Sequence, residues 1–448
     1  MPLAAPAGEP TAVSFPPAPP TQPPHDADVL VIGAGLAGLR CAGLLAEAGV
    51  RTVVLEAGDG VGGRVRTDEV DGFLLDRGFQ VLPTAYPEAR AALDFDRLVL
   101  QPFYPGALVW ADGRFHLAAD PTRRLFDAIR HARAPIGSLA DKVRLMRLTG
   151  AINAPDDDER WTWPDIPTAD ALAQAGISDG MIDRFFRPFL GGVFADLDLQ
   201  TSARMFAFVW RMFAAGTTTV PEHGMGAIAL QLAGRLPHGT VVLDTPVQAI
   251  AALDPTDGRA ALAHATLRSG DILSARAIVV ATDELAAARL LESATPPRRG
   301  RGLTCLYFDA PEPPIAAPVL ALDGMGEGPV TNLAVMSAVS SAYAPPGRAL
   351  VSATVIGLPQ DDDAALEASV RAQLRGWFGT VVDDWRHLRT YRIAEALPDQ
   401  SPGRLVPPVR PHILGAGLFV AGDHRTNASI DGALLSGRMA AEAVIAHL

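Results

Sequence analysis

The run Asp28-Val-Leu-Val-Ile32, followed at once by Gly33-Ala-Gly35-Leu36-Ala37-Gly38, leaves few folds open to this chain. A short apolar run of that kind makes a strand buried on both faces. The glycines after it have separate uses: a tight turn, close approach of backbone to a pyrophosphate, and close packing of the next helix on the strand. That helix, roughly Ala37 to Ala48, offers its first N–H groups and its dipole to an anion. After a turn at Gly49, a second strand over Arg51 to Leu55 ends in Glu56, 18 residues beyond Gly38, the usual spacing for an acid that bonds a ribose hydroxyl and disfavours a 2′-phosphate. The glycine pattern alone is a weak signal. The full succession of strand, turn, helix, strand and acid points to a dinucleotide site rather than an ordinary α/β turn.

Glu56 continues into Ala57-Gly-Asp-Gly-Val-Gly62-Gly63-Arg64, a second glycine cradle with a cation beside it. This block separates FAD from NAD, and in it the chain resembles the flavin-containing amine oxidase superfamily, which includes monoamine oxidases, protoporphyrinogen oxidases and carotenoid desaturases. Three further stretches support the resemblance. Phe73 to Gln80, with Ala85-Tyr86-Pro87, resembles the family's D-x-G segment and is nearest in pattern to phytoene desaturases. Phe185 to Phe194, then Leu199 to Phe213 and Val220 to Gly226, resembles the path from the substrate domain back to the cofactor domain. Leu418 to Arg425 and Ile430 to Gly437 resemble the closing segment, where a buried strand delivers Gly422-Asp423 at its carboxyl end and a helix start follows.

The resemblance implies an α/β fold: an FAD-binding Rossmann-type (glutathione-reductase-like) domain with an inserted α+β substrate domain. The expected cofactor domain is discontinuous, over 28–105, 218–300 and 395–448, with a substrate domain over 106–217 and 301–394. Non-covalent FAD would be held by Gly33, Gly35, Leu36, Ala37, Gly38, Glu56, Ala57, Gly62, Gly63 and Arg64. Gly78, Phe79, Gln80, Val247, Thr282, Gly422, Asp423, Ser429, Ile430 and Ala433 would complete the site. Asp423 would bond the ribityl or phosphate region, a role compatible with a helix cap. His424 and Arg425 are the candidate polar side chains near the flavin, with His424 as candidate proton-exchanging group and a structural hydrogen bond as its alternative. The aromatic-rich helix over Leu199 to Phe213 reads as core, or as the wall of an apolar substrate tunnel.

Composition narrows the partners. A net charge of −12 repels nucleic-acid backbones and anionic lipid surfaces, so nucleic acid is not expected. Cys41 and Cys305 are too few for a disulfide framework or a zinc site, no metal is expected, and buried thiols suit a reducing, cytoplasmic compartment. Residues 1–27, rich in Pro and Ala, read as a disordered tail without a signal-peptide pattern. No apolar run is long enough to span a membrane, so any membrane contact would be peripheral.

The expected reaction is hydride removal from an apolar small molecule, with dioxygen or a quinone as electron acceptor. Amine oxidation is the alternative, and two departures weaken it. The stretch Gly302 to Phe308 lacks the lysine that amine oxidases carry there, and Ser429 stands where one member of their flavin-flanking aromatic pair would be. The region Glu395 to Pro402 lacks the cysteine of covalent flavin attachment. A flavin-dependent isomerase or binding protein without net redox turnover is the third reading.

Overall fold

The computed structural model describes residues 27–120, 123–131, 134–154, 163–252, 262–293, 299–415 and 417–448. Of the expected disordered tail, residues 1–26 therefore lie outside the described residues. The first strand is Val29–Ile32, all four residues buried, and the helix after the glycine turn is Leu36–Glu47. The second strand, Thr52–Leu55, pairs with the first in parallel.

These strands form the centre of a six-stranded sheet in the order Val241–Val242, Thr52–Leu55, Val29–Ile32, Ala277–Val280, Leu418–Val420 and Ile413–Gly415. All pairings are parallel except the last, which runs antiparallel at the sheet's edge. The chain leaves Val29–Ile32 toward Thr52–Leu55 on one side, while Ala277–Val280 lies on the other. That is a topological switch point, and it opens a crevice at the carboxyl ends of the strands. The C-terminal helix Ile430–His447 packs on Leu36–Glu47. A Cβ on Gly437 would overlap the Ala37 carbonyl, so the two helices cross at backbone distance.

Val247–Ala252, Ala263–Leu267 and Ile272–Ala275 form a separate antiparallel sheet. A seven-stranded sheet runs in the order Arg386–Leu397, Arg301–Ala310, Ala349–Ile356, Val330–Val335, Leu320–Asp323, Gly106–Ala111 and Arg114–Ala119. It is antiparallel except where Leu320–Asp323 meets Gly106–Ala111. One face packs Leu306, Phe308, Leu333 and Val351 against Leu366, Val370 and Leu374 of helix Asp363–Phe378. The other, carrying Leu303, Cys305, Tyr307 and Ala334, joins the core that includes the dinucleotide-fold helices. Two packed sheets with helices between them match the mixed α/β class expected. The aromatic-rich helix begins four residues later than expected, at Ala203–Ala215, because Ser202 caps it by accepting from the Arg204 N–H at 3.2 Å.

Candidate cofactor and substrate cavity

A cavity of about 760 Å³ opens at the carboxyl ends of the parallel strands and runs to the seven-stranded sheet. Such a volume lies in the range of small-molecule and cofactor sites. At the first turn Gly33 has φ +105°, and a Cβ there would lie 2.8 Å from the Ala281 carbonyl oxygen. Gly35 differs: its φ is −73°, and an added Cβ would meet nothing within 4 Å because it would project into the cavity. Helix Leu36–Glu47 carries no acid in its first turn and no side-chain cap, so its leading N–H groups face this space without competition. Gly62 donates its N–H to Ala34 O at 2.8 Å, which seats the second glycine pair against the first. Gly38 does not line the cavity. A Cβ on it would overlap the Gly33 carbonyl, which is the helix-on-strand packing expected of the third glycine.

Glu56 lines the cavity with both carboxylate oxygens held: Oε2 accepts from the Ala34 N–H at 2.7 Å and Oε1 from the Gly58 N–H at 2.8 Å. Thr245, Val247, Gln248 and the exposed rim cations Arg268 and Arg289 line the wall beyond it. Arg64 donates to Asp423 Oδ1 at 2.7 Å and to the Ala396 carbonyl at 3.0 Å. Burial alone would depress the Arg64 guanidinium, but the Asp423 carboxylate outweighs it and holds its pKa above the ordinary value. The helix Ile430–His447 starts at Ser429, whose hydroxyl accepts from Gly432 N–H at 2.9 Å, and Ser429, Ile430 and Ala433 all line the cavity. Asp431, buried beside them, accepts from the N–H groups of Glu88 and Ala89 at 2.7 and 3.2 Å and so caps helix Pro87–Ala92. Leu36, Ala37, Ala57, Gly63, Gly78, Phe79, Gln80, Thr282 and Gly422 complete the expected set that reaches this cavity.

The remaining wall is apolar. Phe189 and Phe213 sit with ring centroids 5.5 Å apart, and Val193, Val209, Leu303, Leu320 and Ile393 continue the lining. Helix Ala203–Ala215 is thus mostly core, with Val209 and Phe213 reaching the cavity wall. The polar exceptions are Gln80 and Asn332. Asn332 is only 2% exposed, its Oδ1 has no hydrogen-bond partner, and its amide nitrogen lies over Gly192, where a Cβ would overlap it. Asn332 was not singled out from sequence, although an amide in the otherwise mostly apolar strand VTNLAV was the available signal. Tyr86, legible in sequence only as part of the Ala85-Tyr86-Pro87 pattern, is buried on the cavity wall and stacks on Phe208 with centroids 5.9 Å apart.

Among the described residues no histidine, lysine or cysteine lines this cavity. Cys41 and Cys305 are buried, and burial pushes their thiols up to about 12 and about 11. The expectation for His424 and Arg425 is corrected: both line a second cavity of about 220 Å³. The His424 ring packs under Gly422, where a Cβ would lie 2.6 Å from its Nδ1. Burial then holds the imidazole down to about 4, helped by nearby arginines and opposed by Asp423. A ring that is neutral at pH 7 and turned from the large cavity has no reach to a reacting atom there.

Residues 36–445 match the family model described as flavin containing amine oxidoreductase. Among curated proteins, the chain is 29% identical over 246 residues to putrescine oxidase of Kocuria rosea, covering 50% of this chain and 49% of that one. It is 44% identical over 78 residues to an L-amino-acid oxidase of Bungarus fasciatus, covering 17% and 15%. The chain thus matches about half the length of the first relative and far less of the second. In fold it is similar to a provisionally named protoporphyrinogen oxidase from Exiguobacterium, with TM-score 0.69 and 18% identity over 94% of this chain and 99% of that one. Cyclohexylamine oxidase from Brevibacterium oxydans matches with TM-score 0.69 and 19% identity over the same shares.

Proposed function

Since the chain belongs to the flavin-containing amine oxidoreductase family and is an FAD-dependent oxidoreductase, we propose that it takes a hydride from an uncharged, largely apolar small molecule. The observation that carries this reading is the chamber formed by Phe189, Val193, Val209, Phe213, Leu320 and Ile393, into which no histidine or lysine among the described residues projects. The carboxylates that do line the cavity are committed elsewhere. Glu56 holds the glycine turn, Asp283 caps helix Glu284–Leu290, and Asp423 pairs with Arg64. A cationic substrate end would therefore lose its hydration without gaining a partner, at a cost of several kcal/mol.

FAD, when bound, supplies the hydride acceptor, and the chain contributes orientation, dryness and electrostatics. Glu56 bonds the ribose hydroxyls, and the N–H groups opening helix Leu36–Glu47 take the pyrophosphate with Arg64. The start of helix Ile430–His447 places Ser429, Ile430 and Ala433 on the cavity wall, where they would hold the flavin ring. Among the described residues no cysteine or histidine lines the wall, which supports non-covalent attachment. In this reading the cofactor domain is 28–105, 218–300 and 395–448, the substrate domain is 106–217 and 301–394, and dioxygen or a quinone reoxidises the flavin.

A second reading, oxidation of an apolar amine in its neutral form, is favoured by the family match and by the half-length likeness to putrescine oxidase. The test is anaerobic mixing of purified holoenzyme with polyenes, porphyrinogens and amines while the flavin bands are followed. Bleaching by an uncharged polyene or porphyrinogen supports the first reading. Bleaching by amines alone, rising with pH as the neutral amine accumulates, replaces it with the second. Conversion of a substrate without net bleaching or oxidant consumption would point to an isomerase.

A further inference from the structure

The second cavity lies on the far side of helix Glu284–Leu290 from the first. Asp283 and Ala286 of this segment line the large cavity, and Glu284, Ala287 and Ala288 line the small one. The short turn Asp423–Arg425 divides in the same way, with Asp423 toward one space and His424 and Arg425 toward the other. The ionisable groups around the small cavity are Arg404, Arg410, Arg425, Glu284 and His424. Arg404 donates to Glu284 Oε1 at 2.8 Å, and Arg410 approaches the same oxygen at 3.7 Å. Arg425 makes no ion pair with Glu284 and donates instead to the Pro411 carbonyl. One carboxylate thus faces three guanidiniums.

All three arginines are half-buried, which makes the imbalance costly, because like charges in a low-dielectric setting repel more strongly than in water. Burial and the neighbouring guanidiniums hold both Arg410 and Arg425 below the ordinary arginine value. His424 is 7% exposed, and its Nδ1 has no partner. The side-chain Nε groups of Arg404 and Arg425 are also buried without one. The cluster is therefore short of both negative charge and hydrogen-bond acceptors. A cavity of about 220 Å³ has room for several waters, enough for a tetrahedral anion with part of its hydration.

We propose that this cavity is an oxyanion site, taking one phosphate or phosphoryl group between Arg404, Arg410 and Arg425. The net excess of two positive charges among the lining groups matches the roughly −1.5 to −2 carried by a phosphate ester near neutral pH. Guanidinium forks suit that geometry better than any other cation.

The test is calorimetric titration of FAD-loaded protein with inorganic phosphate, against sodium chloride at matched ionic strength. Working on the holoenzyme keeps the FAD pyrophosphate site filled, so that uptake there does not confuse the result. One phosphate per chain should bind saturably, and the thermal midpoint should rise with phosphate. In Arg410→Gln and Arg425→Gln, checked for folding by their flavin content, the half-saturating concentration should rise about tenfold or more. Absence of saturable binding, an equal response to chloride, or unchanged affinity in both variants overturns the proposal, and the first two need no variant to fold. Glycerol phosphate separates the sources: binding at least tenfold tighter than inorganic phosphate assigns the site to the phosphoryl group of a larger ligand, and binding no tighter assigns it to the free ion.

Discussion

At Gly35 the backbone has φ −73° and an added Cβ meets no atom within 4 Å, so the position accepts a side chain as far as the fold is concerned. A leucine there would instead occupy the space that FAD needs. Gly35→Leu should therefore purify as a folded, colourless protein, with circular dichroism close to that of the parent and no flavin released on denaturation; a yellow variant of normal occupancy would remove the glycine turn from the cofactor site. Gly192 is the converse case, on the apolar part of the cavity wall. A Cβ there would displace the Asn332 amide, and a small displacement in a pocket can cost about a hundredfold in rate. Gly192→Ala should keep its FAD and its visible spectrum while kcat/KM for the bleaching substrate falls roughly ten- to a hundredfold. Loss of flavin instead would place Gly192 against the cofactor.

At the scale of elements, the helix that opens at Ile430 contributes Ser429, Ile430 and Ala433 to the cavity, and through Asp431 it also holds the start of helix Pro87–Ala92. Tyr86, immediately before that second helix, is on the cavity wall, so this cap fixes where the tyrosine sits. Asp431→Ala leaves two N–H groups without their acceptor, and loss of a cap of this kind costs about 1–2 kcal/mol. The expected outcome is a lowered urea midpoint with flavin still bound. A midpoint unchanged from the parent would mean that water replaces the carboxylate at no cost. The Asp-Gly pair of this helix start was legible as a motif, but its acceptor role was not, because its partners are more than 340 residues away in sequence.

On the scale of the whole molecule, Asp76 ties the hairpin Thr67–Val70 and Phe73–Asp76, together with the start of helix Gly226–Ala233, to the seven-stranded sheet and the turn Ser341–Tyr343 beside it. Its carboxylate accepts from Thr67 Oγ1 at 2.6 Å and Met225 N–H at 2.9 Å on one side, and from Tyr343 Oη at 2.8 Å on the other, while its carbonyl accepts from Tyr307 Oη at 2.8 Å. Burial raises its carboxyl from the ordinary 3.8 to about 6, with those donors pulling the other way. The unfolded chain ionises this group near 3.8 and the folded one near 6. The stability contributed by the neutral form is therefore complete below the lower value and lost as the pH climbs through the upper one, a change of about 3 kcal/mol. Asp76→Asn has no proton to lose. The difference in unfolding free energy between parent and variant should shift by about that amount between pH 4 and pH 7, in the direction that favours the variant at the higher pH. Parallel stability curves would mean that Asp76 titrates alike in both states.

Local pattern was sufficient for the dinucleotide fold. Strand, glycine turn, helix and Glu56 all lie within 29 residues, and each step depends on neighbours in sequence: an unbroken apolar run, backbone room at glycine, and an acid at a set distance. The second cradle ending in Arg64 and the Gly422-Asp423 block were legible for the same reason. What tertiary structure decided is which way side chains at the junctions point. His424 follows Asp423 directly, yet the turn at Gly422, with φ +145°, sends the imidazole to the opposite side of helix Glu284–Leu290 from the carboxylate. The same holds for Asn332, Gly192 and Tyr86, which meet on one cavity only because the seven-stranded sheet and the helices facing it close over the crevice. The anion-deficient arginine cluster likewise joins residues 284, 404, 410 and 425. Periodicity reports burial along one element, whereas a cavity is made by several elements meeting, and that geometry is set by long-range packing.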